Sequence, residues 1–158
     1  MATEKRTFEQ FLADVDPRYQ PFLQDLYTYL ADHGCKATCE AKKSGPFASY
    51  KHTKSKKSIV NFLSRKTGMR IRIYGESVGN YLDFLQTLPE EMVQSIEGAG
   101  DCTRLTQNAC SPKCMGYDVI IDGKRFQKCR YGGFEFPVTE GNEPYIRSFI
   151  ECEVNGRA

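Results

Sequence analysis

The dipeptide Asp122-Gly123 lies between two short segments whose residues alternate in polarity, and this pattern predicts a β-hairpin. Glycine accepts the positive φ that a two-residue turn requires. A turn of that length also sets the strand register, so that Val119 lies opposite Phe126. The chain is therefore expected to contain an antiparallel ladder of defined register, and the residues around it can be placed relative to that ladder.

Four of the seven cysteines lie in the segment that contains this hairpin: Cys102, Cys110, Cys114 and Cys129. Continuing the register places Gly116 opposite Cys129, and Cys114 one diagonal step away. Diagonal neighbours on paired strands can contact one another. We therefore expect three thiols to converge at the open end of the hairpin, with Cys102 arriving from the preceding loop.

This cysteine group has three interpretations. Four thiolates in a tetrahedral arrangement favour zinc, and a closed set of four indicates a structural role. The spacing C-x7-C-x3-C-x14-C differs, however, from the paired C-x2-C of zinc ribbons. Reduced cysteines packed as small apolar side chains are the second interpretation. Redox or disulfide use of Cys110 and Cys114 is the third, without a C-x-x-C motif to support it.

Length and composition limit the class of protein. A chain of 158 residues suits one domain, with flexible ends expected at about 1–6 and 153–158. The formal net charge of +2 gives no general argument for nucleic-acid or membrane binding. The apolar runs are too short for a transmembrane helix, and the polar N-terminus is unlike a signal peptide. Seven cysteines without an export signal favour a reducing cytoplasm.

Helical and strand patterns alternate in blocks along the chain. Thr7 and Gln10 form a capping box before the first helix. A second hairpin is predicted over 58–65 and 69–74, around Thr67-Gly68. The order of elements predicts an α+β fold, in which N-terminal, central and C-terminal helices pack on an antiparallel sheet built from the two hairpins.

The predicted core combines both hairpins with the apolar faces of the helices. We expect one sheet, with the cysteine group at its end and outside the main core. The predicted core side chains are Leu23, Leu26, Phe62, Ile71, Ile73, Leu82, Leu85, Val119 and Phe126.

The 51–72 hairpin is rich in basic residues, and Arg70, Arg72 and Tyr74 share one strand face. Interleaved guanidinium groups and an aromatic ring are typical of nucleic-acid binding surfaces. Nucleic-acid or anionic-ligand binding is therefore an alternative function. The alternative to that interpretation is an ordinary solvated hairpin face. If acidic residues such as Glu40, Asp83 or Glu135 fold over the hairpin, its positive field disappears, and this feature distinguishes the two interpretations. The candidate binding residues are Lys54, Lys56, Lys57, Arg70, Arg72 and Tyr74.

No catalytic constellation is recognisable in the sequence, and no catalytic residue is assigned. Lys128 and Arg130 flank Cys129, but neighbours on a strand point to the opposite face. A catalytic thiol would need a base, and only His33 and His52 are available. Thiol redox chemistry or small-molecule binding remains a further alternative, and the roles of the other three cysteines stay open.

Four segments carry a resemblance to known proteins: Lys54-Ser55-Lys56-Lys57, Ile71-Arg72-Ile73-Tyr74-Gly75, Cys110-x3-Cys114-x-Gly116-Tyr117-Asp118 and Gln127-Lys128-Cys129-Arg130-Tyr131. Together they resemble a group of small, functionally unassigned bacterial proteins with the same cysteine segment, over about residues 8–151. The order of elements is also loosely similar to the small α+β domains of the TfoX, YjbR and YdhG type. The resemblance implies a fold class and a bacterial cytoplasmic setting, and it implies no activity.

Overall fold

The strands of the main sheet follow one another through tight turns, which brings residues distant in sequence into register. The structure is a computed structural model, and it describes residues 4–102, 116–129 and 133–156. The strands are β1 Glu4–Arg6, β2 Cys35–Lys42, β3 Gly45–His52, β4 Lys57–Arg65, β5 Gly68–Ile73, β6 Tyr117–Ile121, β7 Lys124–Lys128 and β8 Phe134–Pro137. The helices are α1 Phe8–Ala13, α2 Gln20–Asp32, α3 Leu82–Leu85, α4 Glu90–Glu97 and α5 Glu143–Gly156.

The six-stranded sheet is antiparallel, with the strand order β1-β2-β3-β4-β5-β8, and helices pack on it. The predicted α+β class is therefore confirmed. One detail differs, because β6 and β7 form a separate two-stranded sheet. The edge of β5 is taken by β8, where Phe136 lies opposite Ile71 and Phe134 opposite Ile73. The single sheet that was expected to contain both hairpins is therefore completed by β8, and not by the cysteine hairpin.

One face of the large sheet forms the core. Phe62 lies opposite Ile71, which in turn lies opposite Phe136, and all three side chains are fully buried. The cysteine hairpin contributes Val119 and Phe126 to the same cluster, so the two sheets share one core. The helices that cover it bury a common apolar stripe: Phe11, Leu23, Leu26, Leu30, Ile146, Phe149 and Ile150.

Leu82 is a correction to the predicted core, since it is 42% exposed. It begins α3, which has only four residues and buries Leu85 instead. The preceding residue, Tyr81, is buried and packs edge-on against the ring of Phe149, with 5.6 Å between the ring centroids. An aromatic ring therefore takes the place that the helical pattern assigned to Leu82.

The chain ends that the structure describes lie in regular elements. Residues 4–6 form the edge strand β1 and residues 153–156 complete α5, and the flexible ends expected at about 1–6 and 153–158 stay a prediction. The predicted capping box is present, because Thr7 Oγ1 accepts from the backbone N–H of Gln10 (3.1 Å) while Gln10 Oε1 accepts from that of Thr7 (2.9 Å).

Of the helices in the described ranges, none combines the length and apolar composition needed to cross a membrane.

The cysteine hairpin has the register that the turn predicts, with Val119 opposite Phe126. The side chain of Gln86, just after α3, holds its outer strand. Gln86 Nε2 donates to the carbonyl of Ile120 at 2.6 Å, and the N–H of Asp122 donates to Gln86 Oε1 at 3.1 Å. The hairpin is thereby fixed against α3.

Candidate thiol site and arginine recess

Cys102 and Cys129 lie on a short ladder that joins the end of the α4 segment to β7. The N–H of Cys102 donates to the carbonyl of Gln127 (3.0 Å), and the N–H of Cys129 donates to that of Gly100 (2.7 Å). Asp101 lies opposite Lys128 between them. Because faces alternate along a strand, both cysteines are on the same face, and diagonal neighbours of this kind are about 7–8 Å apart at Cα.

The two thiols differ in exposure, since Cys102 is 3% exposed and Cys129 is half-buried. The other two predicted ligands, Cys110 and Cys114, lie outside the described residues. Within the described ranges, no group of three or more His, Cys, Asp or Glu side chains is placed to hold a metal ion. The structure therefore shows two of the four predicted ligands together, and the full set stays a prediction.

Lys128 is a buried cation that fixes this ladder, and it is only 7% exposed. Its Nζ donates to the carbonyls of Glu97 (2.7 Å) and Ala99 (3.1 Å) and to Asp101 Oδ1 (2.8 Å). All three ammonium hydrogens are thus satisfied, as a buried charge requires. The carbonyls come from the end of α4, where the helix dipole also favours a cation.

Sequence reasoning missed this role of Lys128, although a signal was present. Lys128 follows Phe126 by two residues on β7, so the register places both side chains on the inward face. A lysine at an inward position of a strand predicts a buried and fully paired ammonium group.

The remaining cysteines lie elsewhere. Cys35 and Cys39 are buried on β2, which is separated from β8 by three strands. Burial raises the pKa of the Cys39 thiol to about 11, which makes that thiol a poor nucleophile at neutral pH. Cys152 is half-buried on α5, and burial followed by Glu151 and Glu153 raises its pKa.

The predicted binding residues are spread along the sheet, from the β3–β4 turn to the far end of β4 and β5. Lys54 and Lys56 lie in the β3–β4 turn, and Lys57 begins β4 with its Nζ 3.3 Å from Glu76 Oε1. Arg70 lies opposite Leu63, six residues further along β4. At about 3.3 Å per residue, this places Arg70 roughly 20 Å from Lys57. The lysines and Arg70 therefore lie at opposite ends of the predicted surface, with Arg72, opposite Asn61, between them.

Glu135 lies over the face that carries the arginines. Its Oε2 accepts from Arg70 Nε at 2.8 Å, and its Oε1 accepts from Arg72 Nη2 at 2.9 Å. Burial acts against the charge of Arg72, but Tyr74 and Glu135 together raise its pKa. The hydroxyl of Tyr74 also accepts from Asn61 Nδ2 at 2.9 Å. Glu135 thus pairs with both arginines and offsets one of their two positive charges.

A recess of about 330 Å³ lies between these arginines and the segment after α4. Arg70, Arg72 and Glu135 line one side, and 98–100 lines the other. Gly133, at φ +66°, completes the wall, and a Cβ there would lie 2.9 Å from the carbonyl of Ile73. Only glycine lets β8 approach β5 so closely at this point.

A second buried charge holds the turn that follows β5. The carboxylate of Glu153 is fully buried and accepts from the N–H groups of Glu76 (2.5 Å) and Ser77 (3.3 Å). Beside it, the hydroxyl of Tyr117 donates to the carbonyl of Gly75 at 2.7 Å. Glu153 continues the buried stripe of Phe149 and Ile150 on α5, and a carboxylate on an apolar stripe is the sequence signal for such a group.

No family model, curated protein or solved structure matches the chain. Functional interpretation therefore depends on the geometry of these two sites.

Proposed function

We propose that the cysteine segment binds zinc in a structural thiolate site, with Cys102, Cys110, Cys114 and Cys129 as ligands, in a non-enzymatic domain. The observation that supports this proposal is the position of Cys102 and Cys129 on one face of a short ladder. Thiolates are the ligands that structural zinc sites use most, and four of them close the coordination sphere.

The hydrogen bonds around the ladder favour metal binding. Two thiols are held by backbone bonds and by the buried Lys128 before any ion arrives. Such preorganisation lowers the ordering cost of binding. The ladder also holds together the two ends of the cysteine segment, at Cys102 and Cys129. Bound zinc would therefore link residues of a segment whose ends are already in place.

We place this domain in a reducing compartment such as a bacterial cytoplasm. The chain has seven cysteines, an odd number, so they cannot all be paired in disulfides within one chain. Thiolate metal sites also require reduced cysteines. This assignment agrees with the resemblance to small bacterial proteins.

Elemental analysis of protein purified without chelator tests the zinc site, with thiol titration on the same sample. We expect one zinc per chain and fewer than seven reactive thiols until the chain is unfolded with chelator. Cys129→Ser should lose the zinc, whereas the matched control Cys152→Ser should retain it.

Two other outcomes would contradict the proposal. Metal-free protein whose seven thiols all titrate once the chain is unfolded without reductant would leave the cysteines as packing residues. The mass of the intact chain gives the second outcome. Metal-free protein whose mass is lower by two hydrogens for each disulfide would establish disulfide use of these cysteines.

A further inference from the structure

We propose that the recess beside Arg70 and Arg72 binds a small oxyanion, one carboxylate or phosphate group in size. This site is separate from the zinc ligands, and the inference does not depend on the metal. The donors are the guanidinium groups of the two arginines, and Ser95 and residues 98–100 are also part of the lining.

The hydrogen bonds to Glu135 leave donors available. A guanidinium group has five N–H donors in a fixed fork. Arg70 gives one of them to Glu135 through Nε, and Arg72 gives one through Nη2. Arg72 also hydrogen-bonds the side chain of Tyr74. The N–H groups that neither Glu135 nor Tyr74 takes, those on the terminal nitrogens of Arg70 first, can therefore serve a further acceptor in the recess.

The charge balance also favours an anion. Two guanidinium groups and one carboxylate leave one positive charge, and the three side chains are each about one-third exposed, at 33%, 32% and 30%. A partly enclosed guanidinium interacts with an anion more strongly than a fully solvated one. Arginine pairs are also suited to the two-point recognition of carboxylate and phosphate.

The shape of the recess limits the ligand to a small one. Its volume of about 330 Å³ is at the lower end of the range for small-molecule sites. A Cβ built on Gly100 would meet no atom within 4 Å, so there is open space beside that wall. The lysines of the β3–β4 turn lie at the other end of the sheet, which disfavours a nucleic-acid strand as the occupant.

Glu135 has a specific role in this proposal. Its carboxylate accepts a hydrogen bond from each of the two guanidinium groups, so it competes with an incoming anion for those donors. Removing its charge should therefore strengthen anion binding, whereas removing either guanidinium should weaken it. A merely structural ion pair would not give these opposite effects.

Isothermal titration with sodium phosphate and with sodium acetate, at constant ionic strength, tests the site. We expect saturable binding of at least one of the two anions. Arg72→Gln should weaken it at least about tenfold, as loss of a charged hydrogen bond implies. Glu135→Gln should tighten it several-fold. Arg125→Gln removes an exposed arginine that also pairs with a carboxylate, Asp118, and should leave binding unchanged.

Gly100→Leu gives a second test that does not change any charge. Its Cβ enters open space, so the protein should fold with an unchanged urea midpoint while the side chain fills the recess. Loss of binding in this variant would support the site. Saturation by phosphate alone or by acetate alone would identify which oxyanion it takes.

Three results would overturn the proposal. The first is the absence of saturable binding of either anion at low ionic strength. The second is an equal loss of binding in Arg125→Gln and Arg72→Gln, which would indicate general charge attraction. The third is tighter binding of a single-stranded oligonucleotide that Lys54→Gln with Lys56→Gln abolishes, which would assign the surface to nucleic acid.

Discussion

The hydroxyl of Tyr81 donates a hydrogen bond of 2.5 Å to the carboxylate of Glu153, and both side chains are buried. The same carboxylate accepts from the backbone of Glu76 and Ser77. One ionisable group on α5 therefore fixes the start of the chain segment that leads from the sheet to α3. A buried carboxylate with several donors is stable only while those donors remain.

Tyr81→Phe should lower the free energy of unfolding by about 1.5–3 kcal/mol, the usual contribution of a hydrogen bond to a charged group. Urea denaturation near neutral pH measures the change. Tyr145→Phe, a half-buried tyrosine on α5, is the control and should alter stability by less than about 0.5 kcal/mol. Equal losses in the two variants would show that the Tyr81 hydroxyl has no special role.

The stability of the protein should fall at alkaline pH, in part through Cys39. Burial raises the pKa of this thiol to about 11, so the folded protein holds the proton more tightly than the unfolded chain. The resulting stabilisation is complete below the unfolded pKa, about 8.5, and is lost as the pH rises through the folded value. Urea unfolding across this range should show a shallower decline for Cys39→Ala than for the wild type. Parallel curves would contradict the prediction.

Lys128→Met should destabilise the protein by about 2–4 kcal/mol, because it leaves two carbonyls and Asp101 without their buried donor. Lys124→Met is the matched control on the same strand. Lys124 also contacts Glu97, but its side chain is 60% exposed, and loss of that pair should cost less than about 1 kcal/mol.

The same two lysine variants separate stability from metal binding. Lys128→Met should also weaken zinc retention, since the ladder that aligns Cys102 and Cys129 loses its anchor. Elemental analysis after dialysis measures the bound zinc. Full retention in Lys128→Met would show that the ladder does not prepare the thiol site.

Leu26→Ala should cost about 2–5 kcal/mol, the range for emptying a packed apolar site. Leu26 is fully buried between α2 and the sheet, whereas Leu82 is 42% exposed. Leu82→Ala should therefore change stability by less than about 1 kcal/mol. Urea midpoints and slopes of the two variants measure the difference, and similar losses would contradict the placement of Leu82.

Local signals in the sequence were sufficient for local structure. The Asp122-Gly123 turn predicted the register of β6 and β7, and the Thr7 capping box predicted the start of α1. The partner of β5 was not predictable in this way. β8 lies more than 60 residues after β5, and an alternating apolar segment does not specify which edge it will join. The ion pairs of Glu135 depend on that long-range pairing, which is why the sequence could name Glu135 only as one of three acidic residues able to cover the basic face.

The same contrast between local signals and long-range contacts applies to the thiol site. The hairpin register, with Tyr117 opposite Lys128, was predicted from the turn. The ladder that brings Cys102 beside it was not, because it depends on where α4 ends and on the buried ammonium group of Lys128. Cys110 and Cys114 remain predicted ligands.

The side-chain amide of Gln86 has a consequence for self-association. It bonds the carbonyl of Ile120 and the N–H of Asp122, groups that an added strand would otherwise use for pairing. Ile120 is 58% exposed on the same strand, so an open edge there would offer both peptide groups and an apolar side chain to another molecule. An incoming chain must first displace the amide, and the hairpin is thereby protected from edge-to-edge aggregation.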